Sequence, residues 1–354
     1  AHNGWPWHLG VTENDRTNVL TTFYSTLNFT RSFGNHNINA LVGYNQESNF
    51  YRYLYGYRQT FPTPDLAELN AGSADGQRTG GSANEWAIQS LLGRVNYDFK
   101  GKYLVEANFR YDGTSRIQED NRWGFFPSVS AGWRLSQEQF LEGVPWMDNL
   151  KVRASWGQLG NQNIGNYPYQ SILSLSNYPF NSVEQGVIQT RLVDPTLTWE
   201  TTTVTDIGFD ISVGNGKFFL TADWFNKVTD DILYQIQVPA SVGLSSPTVN
   251  YASMKNTGFE FEVGHMNQVG EFRYGANFNF SRFVNEVLEV VAPTYASTYT
   301  IQEGLPWQSY YLVEVEGIFQ NQGEIDEAAT CLLYTSPSPR DMIPDLVFRH
   351  LLVN

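Results

Sequence analysis

Residues 206–213 read DIGFDISV, and their side chains alternate between polar and apolar. In an extended chain Ile207, Phe209 and Ile211 share one face, whereas Asp206 and Asp210 share the other. This two-residue period predicts a β-strand with one apolar and one polar face. The same period recurs at 105–111, 218–224, 259–263 and 272–280. The sequence is therefore predicted to form many two-faced strands.

Composition limits the class of protein. The chain has 354 residues, of which 15% are aromatic and only 16% are charged. This length suits two soluble domains or one β-barrel. The net charge of −14 argues against a nucleic-acid partner, because nucleic-acid binders present basic faces to phosphates. No apolar run reaches the ~18–20 residues of a membrane helix, but barrel strands alternate and do not produce such runs.

The spacing of turn residues separates the predicted strands into a regular series. Eleven candidate strands can be placed, at 19–33, 37–57, 89–99, 103–112, 123–135, 150–158, 201–213, 217–228, 257–265, 271–283 and 307–317. The connections at 34–36, 100–102, 214–216 and 266–270 are short, and those at 58–88, 113–122, 159–200, 229–256 and 284–306 are longer. Residues 136–149, where one helical turn is expected, count with the short connections. Short and longer connections then alternate, as they do in outer-membrane barrels with short periplasmic turns.

These features predict an all-β fold, a transmembrane antiparallel β-barrel in the outer membrane of a Gram-negative bacterium. Eleven strands are few for a large barrel and an odd number for a bacterial one. Residues 1–330 are therefore expected to be an internal part of a longer barrel, with an export signal upstream. Aromatic residues beside the short turns are expected to form a periplasmic girdle, namely Phe33, Phe99, Tyr103, Phe218, Phe219, Phe272 and Tyr274. The alternative is that aromatic residues simply favour strands.

Several motifs follow one another along the chain. They are RYDGTSR at 110–116, GFFPSVSAGWRL at 124–135, LKVRASWG at 150–157, GN at 160–161, PTLTWE at 195–200, NTGFE at 256–260 and GLP at 304–306. In this order they resemble the SusC-like (SusC/RagA) TonB-dependent transporters of Bacteroidota, over residues 17–325. The sequence is thus similar to that family along most of its length.

The resemblance implies a barrel of about 22 strands with an N-terminal plug inside it. It also implies active import of an oligosaccharide or a peptide across the outer membrane. Two partners follow from it: a SusD-like surface lipoprotein at the barrel mouth, and the TonB–ExbB–ExbD complex, which supplies the energy. The plug and the TonB-box segment are expected outside this sequence, so no residue can be named for contact with TonB.

Residues 331–354 differ from the rest of the chain. Cys331, the only cysteine, begins the stretch CLLYTSPSPRD at 331–341. This stretch resembles the translation of a sequencing-library adapter. The segment is therefore expected to be a non-native tail without structure, and a natural Ser/Pro-rich tail is the alternative.

Aromatic residues near the predicted outer loops are the candidates for contact with a ligand or a partner protein. Tyr51, Tyr53, Tyr55 and Tyr57 share one face of the second predicted strand. The candidates are Tyr53, Tyr55, Trp86, Trp123, Tyr167, Tyr169 and Tyr178. Their rings can stack on sugars, and their polar tips can form hydrogen bonds. The alternative is an outer interfacial girdle together with packing within the loops.

No set of catalytic residues stands out, and neither a metal nor a cofactor is expected. Glu260 and Glu262 share a polar face, as the paired carboxylates of a glycosidase do, but in a barrel they face the wet lumen. The leading hypothesis is therefore a transporter that does not change its ligand chemically. Three alternatives stay open: a siderophore or cobalamin receptor of the same fold, a passive porin, and a soluble β-sandwich that binds carbohydrate.

Overall fold

The computed structural model describes residues 10–63, 65–180, 182–236, 238–296, 298–318, 323 and 346–352. Its strands are β1 (Gly10–Phe33), β2 (His36–Gln59), β3 (Ser73–Phe99), β4 (Tyr103–Thr114), β5 (Trp123–Arg134), β6 (Met147–Asn161), β7 (Leu173–Phe180), β8 (Ser182–Gln189), β9 (Glu200–Val213), β10 (Phe218–Asp230), β11 (Leu233–Gln235), β12 (Thr248–Asn250), β13 (Ala252–Val269), β14 (Phe272–Val290), β15 (Thr294–Tyr295), β16 (Tyr299–Ile301), β17 (Ser309–Ile318) and β18 (Leu346–Leu352). Short 3-10 helices lie in the connections, at Leu69–Ala71, Glu119–Asn121, Leu135–Gln137 and Ala240–Val242. Among the described residues, no helix is long and apolar enough to cross a membrane.

Ten strands form one antiparallel sheet in the order β1-β2-β3-β4-β5-β6-β9-β10-β13-β14. The pairs β7–β8 and β11–β12 lie in the connections between its strands, and β15 to β18 form a separate four-stranded sheet. Within the described residues the edge strands β1 and β14 do not pair with each other, so the ten strands make an open wall. The predicted all-β barrel fold is confirmed, in the form of a partial barrel.

All eleven predicted strands are present, as β1 to β6, β9, β10, β13, β14 and β17. Short and longer connections alternate along the wall except at 135–146 between β5 and β6, which is longer than the connection at 115–122 between β4 and β5. Two-residue turns join β1 to β2 and β13 to β14, where Gly34 and Gly270 adopt positive φ angles of 61° and 62°. Glycine is favoured at such angles because it has no Cβ to clash with the backbone.

Some boundaries were predicted wrongly. β3 begins at Ser73 rather than at 89. Its first half is polar and rich in glycine, so its own strand propensity is low, but pairing with β2 holds it extended. The last short turn is 270–271 rather than 266–270, since the end of β13 stays paired with β14. The long connections also contain strands that the sequence did not indicate, namely β7, β8, β11, β12, β15 and β16.

Residues 331–345 and 353–354 of the predicted tail lie outside the described residues, and the expectation of no structure is wrong for residues 346–352. These residues form β18 and pair antiparallel with β17. The apolar run LVFRHLL is compatible with a strand, and β17 offers it an edge.

The pairing register places apolar side chains in continuous rows on one side of the wall. One row crosses eight strands through Ile38, Tyr97, Val105, Ala131, Ala154, Ile207, Trp224 and Phe259. The next row lies on the opposite side and contains Asn39, Asn96, Glu106, Ser130, Ser155, Asp206, Phe225 and Gly258. Ile207 remains 51% exposed although it is apolar. An exposed apolar surface of this extent is the kind that a membrane covers.

Aromatic rings form a belt next to the short turns, which supports the predicted girdle. The centroid of the His36 ring lies 5.5 Å from that of Phe33 and 4.8 Å from that of Phe99. Tyr103 continues the belt, 6.2 Å from both Phe99 and Trp133. The expectation was wrong for Phe219, which pairs across from Gly264 on the polar side of the wall. Its ring occupies the space that a side chain at Gly264 would fill.

Polar atoms of the belt are bonded to the neighbouring turn. The hydroxyl of Tyr103 and the indole nitrogen of Trp133 donate hydrogen bonds to Oε1 of Glu138, at 2.7 and 3.0 Å. Lys102 Nζ lies 3.5 Å from the second carboxylate oxygen. The bond from Tyr103, followed by that from Trp133, lowers the pKa of Glu138. The rings are thus exposed on the apolar face while their polar atoms form hydrogen bonds, as is typical of aromatic residues at a membrane interface.

Neighbouring positions at the centre of β5 provide a direct test of the two faces. Val129 points to the apolar side and Ser130 to the polar side. In the full-length protein folded in lipid vesicles, Val129→Arg should lower the free energy of unfolding by about 2–4 kcal/mol, because it places a charge in hydrocarbon. Ser130→Arg serves as the matched control and should change it by less than about 1 kcal/mol. Equal effects in urea titrations would contradict the assignment of the faces.

Candidate functional site

The polar face of the wall carries an ion-pair cluster centred on Arg153 of β6. Its guanidinium meets Asp223 of β10 through two contacts, Nη1 to Oδ1 at 2.6 Å and Nη2 to Oδ2 at 2.7 Å. Asp206 and Asp210 of β9 lie 3.5 and 3.4 Å from the same guanidinium. One cation therefore joins carboxylates on two further strands. The Nη2 contact is a charge-assisted hydrogen bond, a stronger type than a neutral one, and the Nη1 contact adds an ion pair.

Gly208 lets Arg153 reach Asp223 across an intervening strand. In the register, Arg153 lies opposite Gly208 and Gly208 lies opposite Asp223. A Cβ atom at Gly208 would collide with Oδ1 of Asp223 and lie 2.9 Å from Cζ of Arg153. A glycine is needed here because any side chain would occupy the path of the ion pair.

The cluster borders a concave part of the polar face. A cavity of about 580 Å³ is lined by Arg153 and Asp206 together with Lys151, Glu106 and Asn96. Glu260 adds a further carboxylate, because it lies opposite Asp223 in the register. This surface offers charged and hydrogen-bonding groups to water or to protein in the barrel lumen.

The predicted pair of carboxylates, Glu260 and Glu262, lies on this polar face as expected. Oε1 of Glu262 accepts a hydrogen bond from Asn277 at 2.9 Å, and Oε1 of Glu260 accepts one from Ser281 at 3.3 Å. In the part of the chain that the structure describes, no group of three or more metal-ligating side chains forms a candidate metal site.

The long connections are anchored where the wall ends. Ile117, Phe126 and Trp199 form a buried cluster, and Ile164 packs against it. The indole nitrogen of Trp199 donates to the carbonyl oxygen of Arg122 at 2.9 Å. Phe126 and Trp199, from the motifs at 124–135 and 195–200, thus meet Ile117, which directly follows the motif at 110–116. Within the motif at 110–116, Arg110 and Asp112 of β4 form a salt bridge of 3.1 Å.

Three of the aromatic candidates share the polar face of the wall near its outer end. Tyr53 and Tyr55 of β2 are stacked, with ring centroids 5.9 Å apart. Trp86 of β3 lies opposite Asn49 on the same face. The guanidinium of Arg116 lies over the Trp86 ring, 5.1 Å from its centroid. The structure therefore brings together residues that are separated by about thirty positions in the sequence.

The other candidates lie elsewhere. Trp123 is on the apolar face and stacks on Tyr111 at 4.9 Å, which favours the alternative of an interfacial girdle for this residue. Tyr167 and Tyr169 form an edge-on pair, 6.3 Å apart, in the connection after β6. Tyr178 is half-buried in β7, opposite Glu184 of β8.

The Arg153 cluster was not found from the sequence. Its members are separated by up to 70 positions, and only the pairing register brings them together. The sequence does show charged residues on the polar faces of the sixth, seventh and eighth predicted strands. Periodicity alone does not predict which of these residues lie opposite one another, because it does not give the register between strands.

Comparison with known proteins relates this fold to outer-membrane receptors. A family model described as TonB-dependent receptor-like, β-barrel, matches residues 3–323. The TonB-dependent receptor P39 of Formosa agariphila is 31% identical over 324 residues, which is 88% of this chain and 30% of that protein. The TonB-dependent receptor SusC of Bacteroides thetaiotaomicron is 29% identical, over 82% of this chain and 29% of that protein.

Among solved structures, the RagAB peptide transporter superposes with a TM-score of 0.80 at 24% identity, over 87% of this chain and 35% of that one. This agreement concerns the fold. The chain spans about a third of the length of the curated relatives P39 and SusC.

The role of Gly208 can be tested in the full-length protein. Gly208→Val should lower the free energy of unfolding by about 1–3 kcal/mol, because it separates Arg153 from Asp223 and leaves both without their best partner. Combining it with Arg153→Gln should add little further loss, since both changes remove the same contact. Gly132→Ala is the control, because Gly132 also lies opposite Arg153 but its nearest neighbour is the flexible Lys151 side chain at 3.2 Å. Additive losses in the double variant would refute the bridging role.

Proposed function

The chain belongs to the TonB-dependent receptor-like β-barrel family, and from this premise we propose that it serves in the active import of a nutrient oligomer. The ligand class is an oligosaccharide or a peptide, and import leaves the ligand chemically unchanged. The wall lies in the outer membrane of a Gram-negative bacterium, with its short turns towards the periplasm and its longer connections towards the exterior.

The observation that carries this proposal is the match to receptors over most of this chain. The relatives P39 and SusC are both named as TonB-dependent receptors. The RagAB peptide transporter shares the fold of this chain. An enzyme is disfavoured because these relatives are receptors and transporters.

Two partners belong to the proposal. TonB, with ExbB and ExbD, supplies energy through a segment outside this sequence. A SusD-like lipoprotein closes the outer end of the barrel. Aromatic side chains at the outer end support such contacts, both on the wall (Tyr53, Tyr55 and Trp86) and in the connection between β6 and β9 (Tyr167, Tyr169 and Tyr178).

The rival functions differ in their energy source and ligand. A passive porin needs no TonB, and a siderophore or cobalamin receptor would matter when iron or cobalamin is scarce. A soluble β-sandwich would have no reason to expose continuous apolar rows on one face of its main sheet.

The test uses the intact gene in its native host. Deleting the gene should abolish growth on one oligosaccharide or peptide mixture as the sole carbon source, and deleting tonB should cause the same loss. Reintroducing the intact gene should restore growth in the first strain only. Uptake that persists without TonB would favour the porin. A defect confined to iron-poor or cobalamin-poor medium would favour the metal-complex receptors.

A further inference from the structure

The outer parts of β1, β2 and β3 form a surface that the Arg153 cluster does not include. On the polar face of the wall, these strands align side by side in rows. The surface consists of Asn14, Arg16 and Asn18 from β1, of Tyr51, Tyr53, Tyr55 and Tyr57 from β2, and of Arg78, Gly80, Ser82, Asn84 and Trp86 from β3. We call it the tyrosine surface.

This surface lies beyond the part of the wall that crosses the membrane. β2 contains 24 residues, whereas a transmembrane strand needs only about 9–11. The turn at Gly34 marks the periplasmic end of β2, so the tyrosines belong to the half that extends outwards. From Tyr57 down to Asn49, opposite Trp86, the surface is about 27 Å long at 3.4 Å per residue. That length suits an oligomer better than a single sugar or amino acid.

Glycines on the flanking strands leave room for the rings. A Cβ at Gly80 would lie 2.5 Å from the Tyr55 ring, and one at Gly10 would lie 2.8 Å from the Tyr57 ring. The two rings therefore lean over the backbones of β3 and β1 instead of standing upright. All four tyrosines are half-buried, so part of each ring stays accessible.

Arginines are stacked on these rings. The guanidinium of Arg16 lies 5.5 Å from the centroid of Tyr53, that of Arg78 lies 5.7 Å from Tyr57, and that of Arg116 lies 5.1 Å from Trp86. In the described part of the chain, none of the three has a carboxylate oxygen within 4 Å. Arg153 is the opposite case, because three aspartates surround it.

Charge is segregated between the two sides of this part of the wall. The tyrosine surface contains no acidic residue, although the chain as a whole has a net charge of −14. The acidic residues of the same strand segments, Glu13, Asp15 and Glu85, point to the other side of the wall. On the inward side the first acid of the same face is Glu47 of β2, two residues from Asn49. The surface is therefore locally positive and would attract an anion.

We propose that the tyrosine surface binds an acidic oligosaccharide, one that carries carboxylate or sulfate groups. The tyrosine and tryptophan rings stack against the sugar rings, and Arg16, Arg78 and Arg116 pair with the anionic groups. Arginine suits this role because its planar fork can bind carboxylate or sulfate oxygens through two parallel hydrogen bonds. The proposal rests on the import function proposed above and names its substrate class.

The surface favours a glycan over an acidic peptide. Extended peptides are commonly recognised by main-chain hydrogen bonds at a free strand edge. Here the backbone of β2 is fully engaged with β1 and β3 along the tyrosines. A ligand therefore meets a set of rings with side-chain amides beside them. The Oδ1 atoms of Asn14 and Asn84 already accept hydrogen bonds from Tyr53 and Asn166, and their Nδ2 groups can donate to hydroxyl-rich rings.

The experiment measures binding to the purified full-length receptor by calorimetry. One arm compares hexagalacturonate with its methyl ester, which has the same backbone without charge. A second arm compares a sulfated galactan hexasaccharide with its desulfated form, and a hexaglutamate peptide is the third probe. At least one acidic glycan should bind about tenfold more tightly than its neutral form, and more tightly than the peptide.

Variants then test whether the preference for the acidic glycan depends on the arginines of the tyrosine surface. Arg16→Gln combined with Arg78→Gln should reduce affinity for the acidic glycan at least tenfold and leave the neutral form nearly unchanged. Arg52→Gln is the matched control, because Arg52 is exposed on the other side of β2. Tyr53→Ala should weaken the binding of both the charged and the neutral form of the glycan. A heat-dependent shift in gel mobility confirms that each variant retains a folded barrel.

Several results would overturn the assignment. They are equal binding of charged and neutral glycans, preferential binding of the peptide, binding of none of the probes, or an unchanged preference in the double arginine variant. TonB-dependent growth on a neutral glycan with no acidic preference would overturn this inference but leave the proposed function intact. Acidic-glycan binding with uptake that needs no TonB would contradict the import function alone.

Discussion

The rest of the structure depends on the antiparallel register of the ten-stranded wall. Side chains alternate between the faces with a period of two, so a slip of one residue between two strands would move every apolar side chain of one strand to the polar face. Between β1 and β14 the register keeps Ile38, Val105, Ile207 and Phe259 in one row. A membrane can cover this face only because the rows are continuous. The turn lengths and the girdle follow from the same register, since both mark where the strands leave the bilayer.

The arginines of the polar face have two different kinds of partner. In the membrane-crossing part Arg153 forms ion pairs with aspartates, and the absence of a side chain at Gly208 leaves space for its contact with Asp223. In the outer extension Arg16, Arg78 and Arg116 stack on aromatic rings instead. The first arrangement satisfies a charge within the protein and stabilises the wall. The second leaves the hydrogen-bonding fork of each guanidinium without a carboxylate partner in the described residues, which is the condition for recognising an anion from outside.

Periodicity predicts the strands of the wall well, because the alternation of polar and apolar residues can be seen within a short stretch of sequence. It failed for the first half of β3, where the glycine-rich residues 73–88 are held extended by pairing with β2. It also failed for Phe219, whose inward position depends on the space above Gly264. The ion-pair cluster and the tyrosine surface could be predicted only in part. The tyrosines of β2 were visible as a shared face, whereas their pairing with Arg16 and Arg78 required the strand register.

The central claim, that one face of the wall meets lipid and the other meets water, can be measured residue by residue along β9. Single cysteines at positions 206, 207, 209, 210, 211 and 212 of the full-length protein in lipid vesicles, each carrying a nitroxide label, report collision with oxygen and with a water-soluble nickel complex. Position 208 is left unlabelled because a side chain there would collide with Asp223. The account predicts that oxygen accessibility peaks at Ile207, Phe209 and Ile211 and that nickel accessibility peaks at Asp206, Asp210 and Ser212. Accessibility to the nickel complex at every position, without a two-residue period, would contradict it.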